Sequence, residues 1–235
     1  MPFDLLKVFL PDRPVLSRVW SGPFRGARIV MNPRHSLRKI LGLYEHELNK
    51  WLEQALRRVT RILDVGANDG YFTFGCAAAF RRLGKAGEII AFEPEERCVA
   101  LLRESLAAQT AAGIGDSRCT VRIEIIQTLV GSELKPGTIT LDSLLTPRDN
   151  TNTLIKIDVD GPEVDIMEAS RSWVVSSNLF VIEVHQEQFI APLRSLFAEQ
   201  NLRLILLKQR PVPVLGRETR PENNCWLVSD LSTFA

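Results

Sequence analysis

The chain has 235 residues, of which 45% are hydrophobic and 24% are charged, and its formal net charge is +1. This length suits one α/β domain with a full core and an N-terminal extension. A net charge near zero gives no support to binding of nucleic acid or of an anionic membrane surface. No stretch approaches the roughly 20 apolar residues that a membrane span needs. We therefore expect neither a nucleic-acid partner nor a membrane span.

Four cysteines, Cys76, Cys98, Cys119 and Cys225, are scattered along the chain. They form no Cys-x-x-Cys pair and no Cys/His spacing typical of a zinc site. We expect each to be a small buried residue rather than a nucleophile. The pattern fits a reducing compartment, so the predicted location is cytoplasmic.

The elements before residue 61 are short. A strand or hairpin next to turn glycines is predicted over residues 24–30, and a short helix is predicted over residues 35–42. Residues 45–59 predict a clearer helix, because Leu48, Leu52, Ala55, Leu56 and Val59 recur at helical spacing with charges between them.

Residues 61–71, with the sequence RILDVGANDGY, are the most informative segment for fold and function. They predict a buried strand, a turn containing Gly66, Asn68 and Gly70, and the start of a helix over 71–83. A helix N-terminus behind a glycine turn offers free N–H groups and a partial positive charge, which suit a carboxylate or phosphate. A tight turn that binds no ligand remains the alternative.

The next predicted strand, 88–92, leads directly into Glu93. A carboxylate at the end of a second strand can accept hydrogen bonds from both hydroxyls of a ribose. The glycine turn and Glu93 together therefore predict a cofactor that contains a nucleoside.

Further strands are predicted at 121–126, 153–159, 178–184, 202–207 and 225–229, and further helices at 95–112, 162–170 and 191–200. Because strands and helices alternate through the first five strands, the sheet is predicted to be parallel. The last two strands lack a helix between them. They predict a hairpin with a long loop, which places one antiparallel strand in the sheet.

Four segments stand together in an order that resembles the FkbM-type, S-adenosylmethionine-dependent methyltransferases. They are residues 64–70 (DVGANDG), 92–94 (FEP), 140–143 (TLDS) and 155–163 (IKIDVDGPE), and the resemblance covers about residues 42–185. It implies an α/β fold of the class I methyltransferase (Rossmann-like) type: a seven-stranded, mostly parallel sheet with one antiparallel strand and helices on both faces. It also implies S-adenosyl-L-methionine as methyl donor and O-methylation of a small molecule or sugar.

Under this resemblance, residues 1–58 are an N-terminal extension and residues 59–235 are the S-adenosylmethionine-binding methyltransferase domain. The helix over 45–59 is either a lid on the cofactor end of the sheet or a helix that covers an edge, and both interpretations stay open. Tyr44 and Glu45 match a Tyr-Glu pair of the family and are candidates for the substrate mouth.

Ligands of open α/β sheets bind at the carboxyl ends of the strands, around the switch in strand order. We expect polar residues that end several strands to meet there. The predicted cofactor-binding residues are Asp64, Gly66, Asn68, Gly70, Glu93, Leu129 and Asp142, with Leu129 and Val130 beside the adenine. Asp64 is expected to hold the turn amides or the amino group of the methionine moiety. Many acids at this rim favour a cationic sulfonium over a triphosphate.

Asp158 and His185 are the candidate catalytic bases. Asp158 could instead only cap the next helix, and His185 could lie at a solvated rim. Asp142, Asp158 and Asp160 carry oxygens that suit magnesium or calcium, but their spacing defines no site and we expect no metal. The family has Glu at the position of Asp160.

Two other functions remain open. A nicotinamide-dependent oxidoreductase would use Glu93 in the same way, although Asn68 within the glycine turn disfavours it. A non-catalytic nucleoside-binding module would bind the cofactor without turnover. A small-molecule or glycan substrate is expected, and a homodimer is possible. Lys208, Arg210, Arg217 and Arg220 form a basic late loop that is either solvated or holds an acidic substrate.

Overall fold

The computed structural model describes residues 9–114, 120–145, 150–212 and 224–233. The N-terminal region forms a hairpin of β1 (Val15–Arg18) and β2 (Arg28–Met31), in which Val15 pairs with Met31 and Arg18 with Arg28. The short helix α1 (Leu37–Leu41) follows and ends at Gly42, and α2 (Asn49–Arg58) comes after a 3₁₀ turn.

The main sheet has seven strands in the order β10-β11-β9-β8-β3-β4-β5. Their bounds are β3 Arg61–Val65, β4 Gly87–Phe92, β5 Val121–Ile126, β8 Thr153–Ile157, β9 Leu179–Val184, β10 Leu204–Lys208 and β11 Cys225–Ser229. Strand β11 is antiparallel to both neighbours, and the remaining pairs are parallel. The predicted fold class, including its single antiparallel strand, is confirmed.

Helices cover both faces of this sheet. They are α3 (Tyr71–Arg82), α4 (Glu96–Ala111), α5 (Glu163–Glu168) and α6 (Ile190–Ala198). Alternate residues of each strand enter opposite layers, as strand geometry requires: Ile62 lies in the core layer with α2 and α3, and Leu63 lies in the layer with α5 and α6. Two short strands, β6 (Leu129–Val130) and β7 (Thr138–Ile139), form a separate pair. Within the described residues, no helix is long and apolar enough to cross a membrane.

Two predicted elements end earlier than expected. The strand predicted over 153–159 ends at Ile157, and a turn follows that is closed by a hydrogen bond from the amide of Gly161 to the carbonyl of Val159. The helix predicted over 162–170 is limited to Glu163–Glu168, because a 3₁₀ turn, Arg171–Trp173, replaces its continuation.

The helix predicted over 45–59 lies on a face of the sheet. Its buried side chains, Trp51, Leu52, Ala55 and Leu56, belong to the core layer, and the indole Nε1 of Trp51 donates to the carbonyl of Ser229 at 2.8 Å. Neither the lid interpretation nor the edge-covering interpretation therefore describes α2. The N-terminal residues that reach the carboxyl ends of the strands come just before it.

Candidate functional site

The order of the strands reverses at β3. From β3 the chain continues outward to β4 and β5, and it then returns to place β8 and β9 on the other side. The carboxyl ends of β3, β4, β8 and β9 therefore meet at a topological switch point, where ligands of open α/β sheets bind. The side chains that follow these strands form the candidate site.

The glycine turn after β3 is closed by protein acceptors. The amides of Gly66 and Ala67 donate to the carbonyl of Phe92 at 3.0 and 3.1 Å, and the amide of Asn68 donates to Glu93 at 2.8 Å. The amide of Gly70 donates to Ala67. The expectation that this turn offers free N–H groups is wrong for these amides, because the end of β4 already accepts most of their hydrogen bonds.

At Gly66 and Gly70, neighbouring protein atoms leave no room for a side chain. Gly66 has φ +78°, and a Cβ there would overlap the carbonyl oxygen of Asp158. Gly70 has φ +85°, and a Cβ there would lie 2.7 Å from Leu102 and 2.8 Å from Phe74. Positive φ and close packing both exclude larger residues. The glycines thus let β3, β8 and α4 pack closely at the switch point.

Glu93 links the ends of β3 and β4. Its Oε2 accepts from the amide of Asn68 at 2.8 Å and its Oε1 accepts from the amide of Glu95 at 2.9 Å. The residue is 7% exposed, so the carboxylate is held in one orientation at low exposure. A carboxylate has about four acceptor positions, and each oxygen of Glu93 can therefore accept a further hydrogen bond.

Lys156 lies beneath the glycine turn, and sequence reasoning did not identify it. Its ammonium donates to the carbonyl of Gly66 at 2.9 Å and forms ion pairs with Asp158 at 3.0 Å and Asp64 at 3.3 Å. Only 4% of the residue is exposed. The signal in the sequence was the single lysine within TLIKI, a strand that is otherwise free of charge. A lysine in a strand covered on both faces needs buried partners.

Electrostatic interactions keep Lys156 and Asp158 ionised. Burial disfavours the ammonium of Lys156, but Asp158, Asp64 and Glu45 outweigh that effect and raise its pKa above the usual value. Burial likewise disfavours the carboxylate of Asp158, but the neighbouring ammonium of Lys156 and a hydrogen bond involving Glu183 lower its pKa to about 2. Asp158 is therefore a weak base in this arrangement.

Asp64 lies in the interior. It has no exposed surface, its Oδ2 accepts from the hydroxyl of Thr73 at 2.5 Å, and its Oδ1 faces Lys156. The expected direct contact with turn amides or with a methionine moiety does not match this position. Instead, Asp64 supports the glycine turn through Lys156.

His185 follows β9 and is surrounded by carboxylates. Its Nδ1 is 2.6 Å from Oε1 of the fully buried Glu163, and its Nε2 is 3.1 Å from Asp160 and 3.9 Å from Glu183. The hydrogen bond to Glu163 raises the pKa of His185. Burial lowers this pKa, whereas the negative charges of Glu183, Glu163 and Asp160 raise it further. In the sequence, Glu163 is only the last residue of the 155–163 segment. Its contact with His185 is seen only in the structure.

The segment before α2 approaches the glycine turn. Lys39 forms an ion pair with Asp69 at 2.6 Å, and its ammonium lies over the ring of Tyr44, 4.9 Å from the centroid. Tyr44 contacts Tyr71 edge to face at 5.6 Å. Glu45 is buried, has φ +51°, and its charge acts on Lys156. Strained residues of this kind cluster at functional sites.

Other predicted residues lie at different positions. Leu129 is 52% exposed, whereas Val130 is buried in the core and cannot present its side chain to a ring. Asp142 accepts from the hydroxyl of Ser172 at 2.8 Å, which ties two 3₁₀ turns together. Lys208 and Arg210 line a cavity beside Trp51. Arg217 and Arg220 are outside the described residues.

Two groups of side chains within the described ranges could hold a metal ion. Asp158, Glu183 and His185 place ligand atoms within 4.8 Å of one another, as do Glu93, Glu95 and Cys98. In the first group, Asp158 already pairs with the ammonium of Lys156. The metal-free site predicted from the sequence stays a prediction.

The cysteines divide into two kinds. Cys76 and Cys225 are buried as expected, and Cys119 is outside the described residues. Cys98 is only partly buried, and its Sγ lies 3.7 Å from Oδ1 of Asn68. Burial and the charge of Glu93 raise the pKa of the Cys98 thiol to about 11, so this thiol at the crevice is a poor nucleophile.

No protein-family model and no curated protein matches the sequence. Among solved structures, the chain is similar to the methyltransferase FkbM from Methylobacillus flagellatus KT, with a TM-score of 0.55 and 17% identity over 73% of this chain and 44% of that chain. It is also similar to the precorrin-6Y C5,15-methyltransferase from Geobacter metallireducens GS-15 (TM-score 0.49, 12% identity, 78% and 87% of the two chains). A third similar structure is an rRNA methylase from Streptococcus thermophilus (TM-score 0.48, 11% identity, 79% and 96%).

The chain has the Rossmann-like methyltransferase fold. The similarity to FkbM establishes that fold at low sequence identity, and the chain spans less than half of the FkbM chain.

Proposed function

We propose that this protein is an S-adenosylmethionine-dependent methyltransferase of the FkbM type that methylates a hydroxyl group of a small molecule or sugar. The observation that carries the proposal is the orientation of Glu93. Two backbone amides hold its carboxylate at the switch point, and both oxygens keep acceptor positions. These positions suit the two hydroxyls of a ribose, with hydrogen bonds of about 1.5–3 kcal/mol each.

The charges at the site also fit a cationic cofactor. The ammonium of Lys156 pairs with Asp64 and Asp158, the charge of Glu45 also acts on it, and Glu183 is a hydrogen-bond partner of Asp158. A site with this excess of negative charge favours a sulfonium cation and disfavours a polyphosphate. The residues therefore fit S-adenosylmethionine, with Glu93 at the ribose and Leu129 at the adenine.

The glycine turn supports this cofactor over a nicotinamide dinucleotide. A dinucleotide needs backbone amides for its pyrophosphate, and those of Gly66, Ala67 and Asn68 already donate to protein oxygens. The oxidoreductase alternative is therefore disfavoured by the geometry of the turn as well as by its sequence.

When bound, S-adenosylmethionine supplies an electrophilic methyl group on a positively charged sulfur. The chain must then orient the acceptor hydroxyl and remove its proton. Orientation can supply about 7–11 kcal/mol, and a positioned base typically contributes about 3–5 kcal/mol.

We assign the base to His185 and an electrostatic role to Asp158. Nε2 of His185 takes the hydroxyl proton, and Glu163 at Nδ1 fixes the ring and stabilises the imidazolium that forms. Asp158, paired with Lys156, stays ionised and favours positive charge nearby. We place Tyr44 and Glu45 at the acceptor side, and the division into an N-terminal extension (1–58) and a cofactor domain (59–235) stays a prediction.

Calorimetry with S-adenosylhomocysteine tests the proposal. We expect the unmodified protein to bind this product and Glu93→Ala to bind it at least tenfold more weakly, because two hydrogen bonds to the ribose are lost. Glu96→Gln, an exposed acid one turn away, is the matched control and should bind normally. Absence of binding to the unmodified protein would reject the cofactor.

Measuring turnover distinguishes an enzyme from a non-catalytic nucleoside-binding module. With cofactor binding established, formation of S-adenosylhomocysteine is measured against a panel of sugars and hydroxylated small molecules. Turnover that falls in His185→Asn while cofactor affinity stays normal supports the catalytic assignment. Normal cofactor affinity with no turnover on any acceptor favours the module.

A further inference from the structure

A second cationic site lies away from the switch point, between the β1–β2 hairpin and the C-terminal end of α3. It is a cavity of about 380 Å³ to which Arg18, Arg25, Arg81, Arg82 and Trp20 contribute. We call it the arginine cavity. None of the described residues that line it is acidic.

Two of these guanidinium groups are held by the protein in ways that keep their charge uncompensated. Arg82 donates to the carbonyls of Pro23 at 2.7 Å and Arg25 at 3.0 Å. Arg81 donates through Nη1 to Gln109, and its buried Nε has no hydrogen-bond partner among the described residues. Neutral acceptors fix the side chains without cancelling their charge, so an anion can still gain charge-assisted hydrogen bonds.

Among the described residues, the carboxylate that pairs with this group is that of Glu53, and the pair is weak. Glu53 lies 3.4 Å from Arg25, and both side chains are about half exposed, so solvent screens the pair. Burial and the charge of Arg25 lower the pKa of Arg82, the charge of Glu53 opposes this effect, and the charge of Arg57 adds to it. The cavity is therefore a place where positive charges repel one another and where an anion would relieve that repulsion.

Trp20 adds a flat aromatic surface. It is 69% exposed, whereas Trp51, Trp173 and Trp226 are at most 8% exposed. Its backbone is fixed by a hydrogen bond from its amide to the carbonyl of Ile40 at 2.8 Å. An indole face beside guanidinium groups is the combination with which proteins bind nucleotide units, through base stacking and phosphate contacts.

We propose that the arginine cavity binds a nucleotide unit, with its phosphate among the guanidinium groups and its base against Trp20. A free nucleotide and a nucleotide within single-stranded RNA share this chemistry. A neighbouring cavity of about 400 Å³ shares Arg25 and Arg82 and adds Arg57, but the carboxylate of Glu53 also lines it, so the proposal is limited to one phosphate in the arginine cavity.

This site is separate from the proposed cofactor site. Arg81 and Arg82 end the 12-residue helix that begins at Tyr71, so they lie about 16 Å along its axis from the glycine turn. The expectation that no nucleic acid binds came from the net charge of +1, which describes the bulk field and not a local cluster.

The test measures binding of uridine 5′-monophosphate, of inorganic phosphate and of a short fluorescein-labelled oligouridylate to the full chain. Uridine probes are chosen because an adenosine probe could enter the proposed cofactor site. Isothermal titration calorimetry reports the free nucleotide, because a fluorescence signal from the exposed Trp20 would be lost in a variant that lacks this residue. Fluorescence anisotropy reports the labelled strand.

The variants are Arg18→Gln and Trp20→Ala, both at exposed positions, and Arg122→Gln on the exposed edge strand β5 is the matched control. We expect Arg18→Gln to weaken binding and reduce its salt dependence, and Trp20→Ala to weaken it roughly tenfold. The control should bind normally. Binding of the monophosphate supports a free nucleotide, and binding of the oligouridylate alone supports a strand.

Three results would overturn the proposal: no binding of either uridine probe, binding that both variants leave unchanged, or inorganic phosphate competing as strongly as the monophosphate. Glu93→Ala should leave uridine binding intact, and Arg18→Gln should leave S-adenosylhomocysteine binding intact. Failure at one site is thereby distinguished from failure at the other.

Discussion

The ammonium of Lys156 lies 2.9 Å from the carbonyl oxygen of Gly66 and joins the strand β8 to the glycine turn after β3. The same ammonium pairs with Asp64 from β3 and Asp158 after β8. One buried cation thus holds the two strands that flank the switch point. The position of the proposed methyl donor depends on this arrangement, because Glu93 is in turn bonded to Asn68 of the same turn.

Lys156→Met should destabilise the fold. Methionine fills much of the same volume, but it leaves the carboxylates of Asp64 and Asp158 without their shared cation. Breaking a buried ion pair by removing one partner costs about 3–5 kcal/mol. Chemical denaturation monitored by circular dichroism measures this change. Lys50→Met on the exposed surface of α2 should change stability by less than about 0.5 kcal/mol.

The double variant Lys156→Met/Asp158→Asn separates charge from packing. If unpaired charge is the cause, neutralising Asp158 should restore part of the stability that Lys156→Met removes. A double variant as unstable as the sum of the two single variants would contradict the ion-pair account.

Gly66→Ala should be more damaging than an ordinary substitution at positive φ. The new Cβ would overlap the carbonyl of Asp158, so β3 and β8 would have to separate. Gly84→Ala is the matched control, because Gly84 also has positive φ (+67°), but a Cβ added there would meet no atom within 4 Å. We expect Gly84→Ala to cost about 1 kcal/mol and Gly66→Ala clearly more, as measured by thermal unfolding. Equal costs would show that steric overlap is unimportant.

The fold could be predicted because its determinants are local. Ile62 and Leu63 show the apolar pattern of a strand buried on both faces, and Gly66 and Gly70 mark the turn that follows. The missing helix between β10 and β11 indicated the antiparallel strand. These features indicated the alternation of strands and helices, and the seven-stranded arrangement was an implication of the resemblance to the FkbM-type methyltransferases.

The partners within the site could not be predicted, because they depend on distances between strands. Lys156 was one residue of a motif, and nothing local shows that it pairs with both Asp64 and Asp158. The closure of the turn amides by Phe92 depends on the register of β3 with β4. The helix α2 has an apolar stripe that fits a lid, an edge-covering helix and a helix on a sheet face equally well, and only the observed packing distinguishes them.

The Lys39–Asp69 pair should hold the N-terminal segment against the glycine turn. Its 2.6 Å separation and low exposure, 17% and 16% of the two side chains, predict a coupling of roughly 1–2 kcal/mol. A double-mutant cycle with Lys39→Met and Asp69→Asn measures it by chemical denaturation. The exposed pair Arg25–Glu53 at 3.4 Å is the control and should couple by less than about 0.5 kcal/mol.

Hydrogen exchange gives a second measure of the same contact. Amides in α1 (Leu37–Leu41) should exchange faster in Lys39→Met than in the unmodified chain, because the segment loses its tie to the turn. Amides of the central strand β3 should exchange at unchanged rates. Unchanged exchange in α1 together with no coupling energy would show that the ion pair does not restrain the segment.

His185 should titrate above its ordinary pKa of 6.5, because its ring is hydrogen-bonded to the buried carboxylate of Glu163. A pKa raised by folding stabilises the native state fully below pH 6.5, and this contribution is lost as pH rises through the raised value. The chain has three histidines, so NMR titration with His185→Asn as the assignment variant can measure the shift directly.

Glu163→Gln should lower the pKa of His185, since it removes the charge that stabilises the imidazolium. If His185 is the base, activity must rise with pH as its ring loses a proton, and Glu163→Gln should move this rise to lower pH. Glu187→Gln, an exposed acid two residues along the chain, is the control and should leave the profile in place. A pH profile that Glu163→Gln does not move, although the NMR pKa falls, would exclude His185 as the base and leave Glu163 with a structural role.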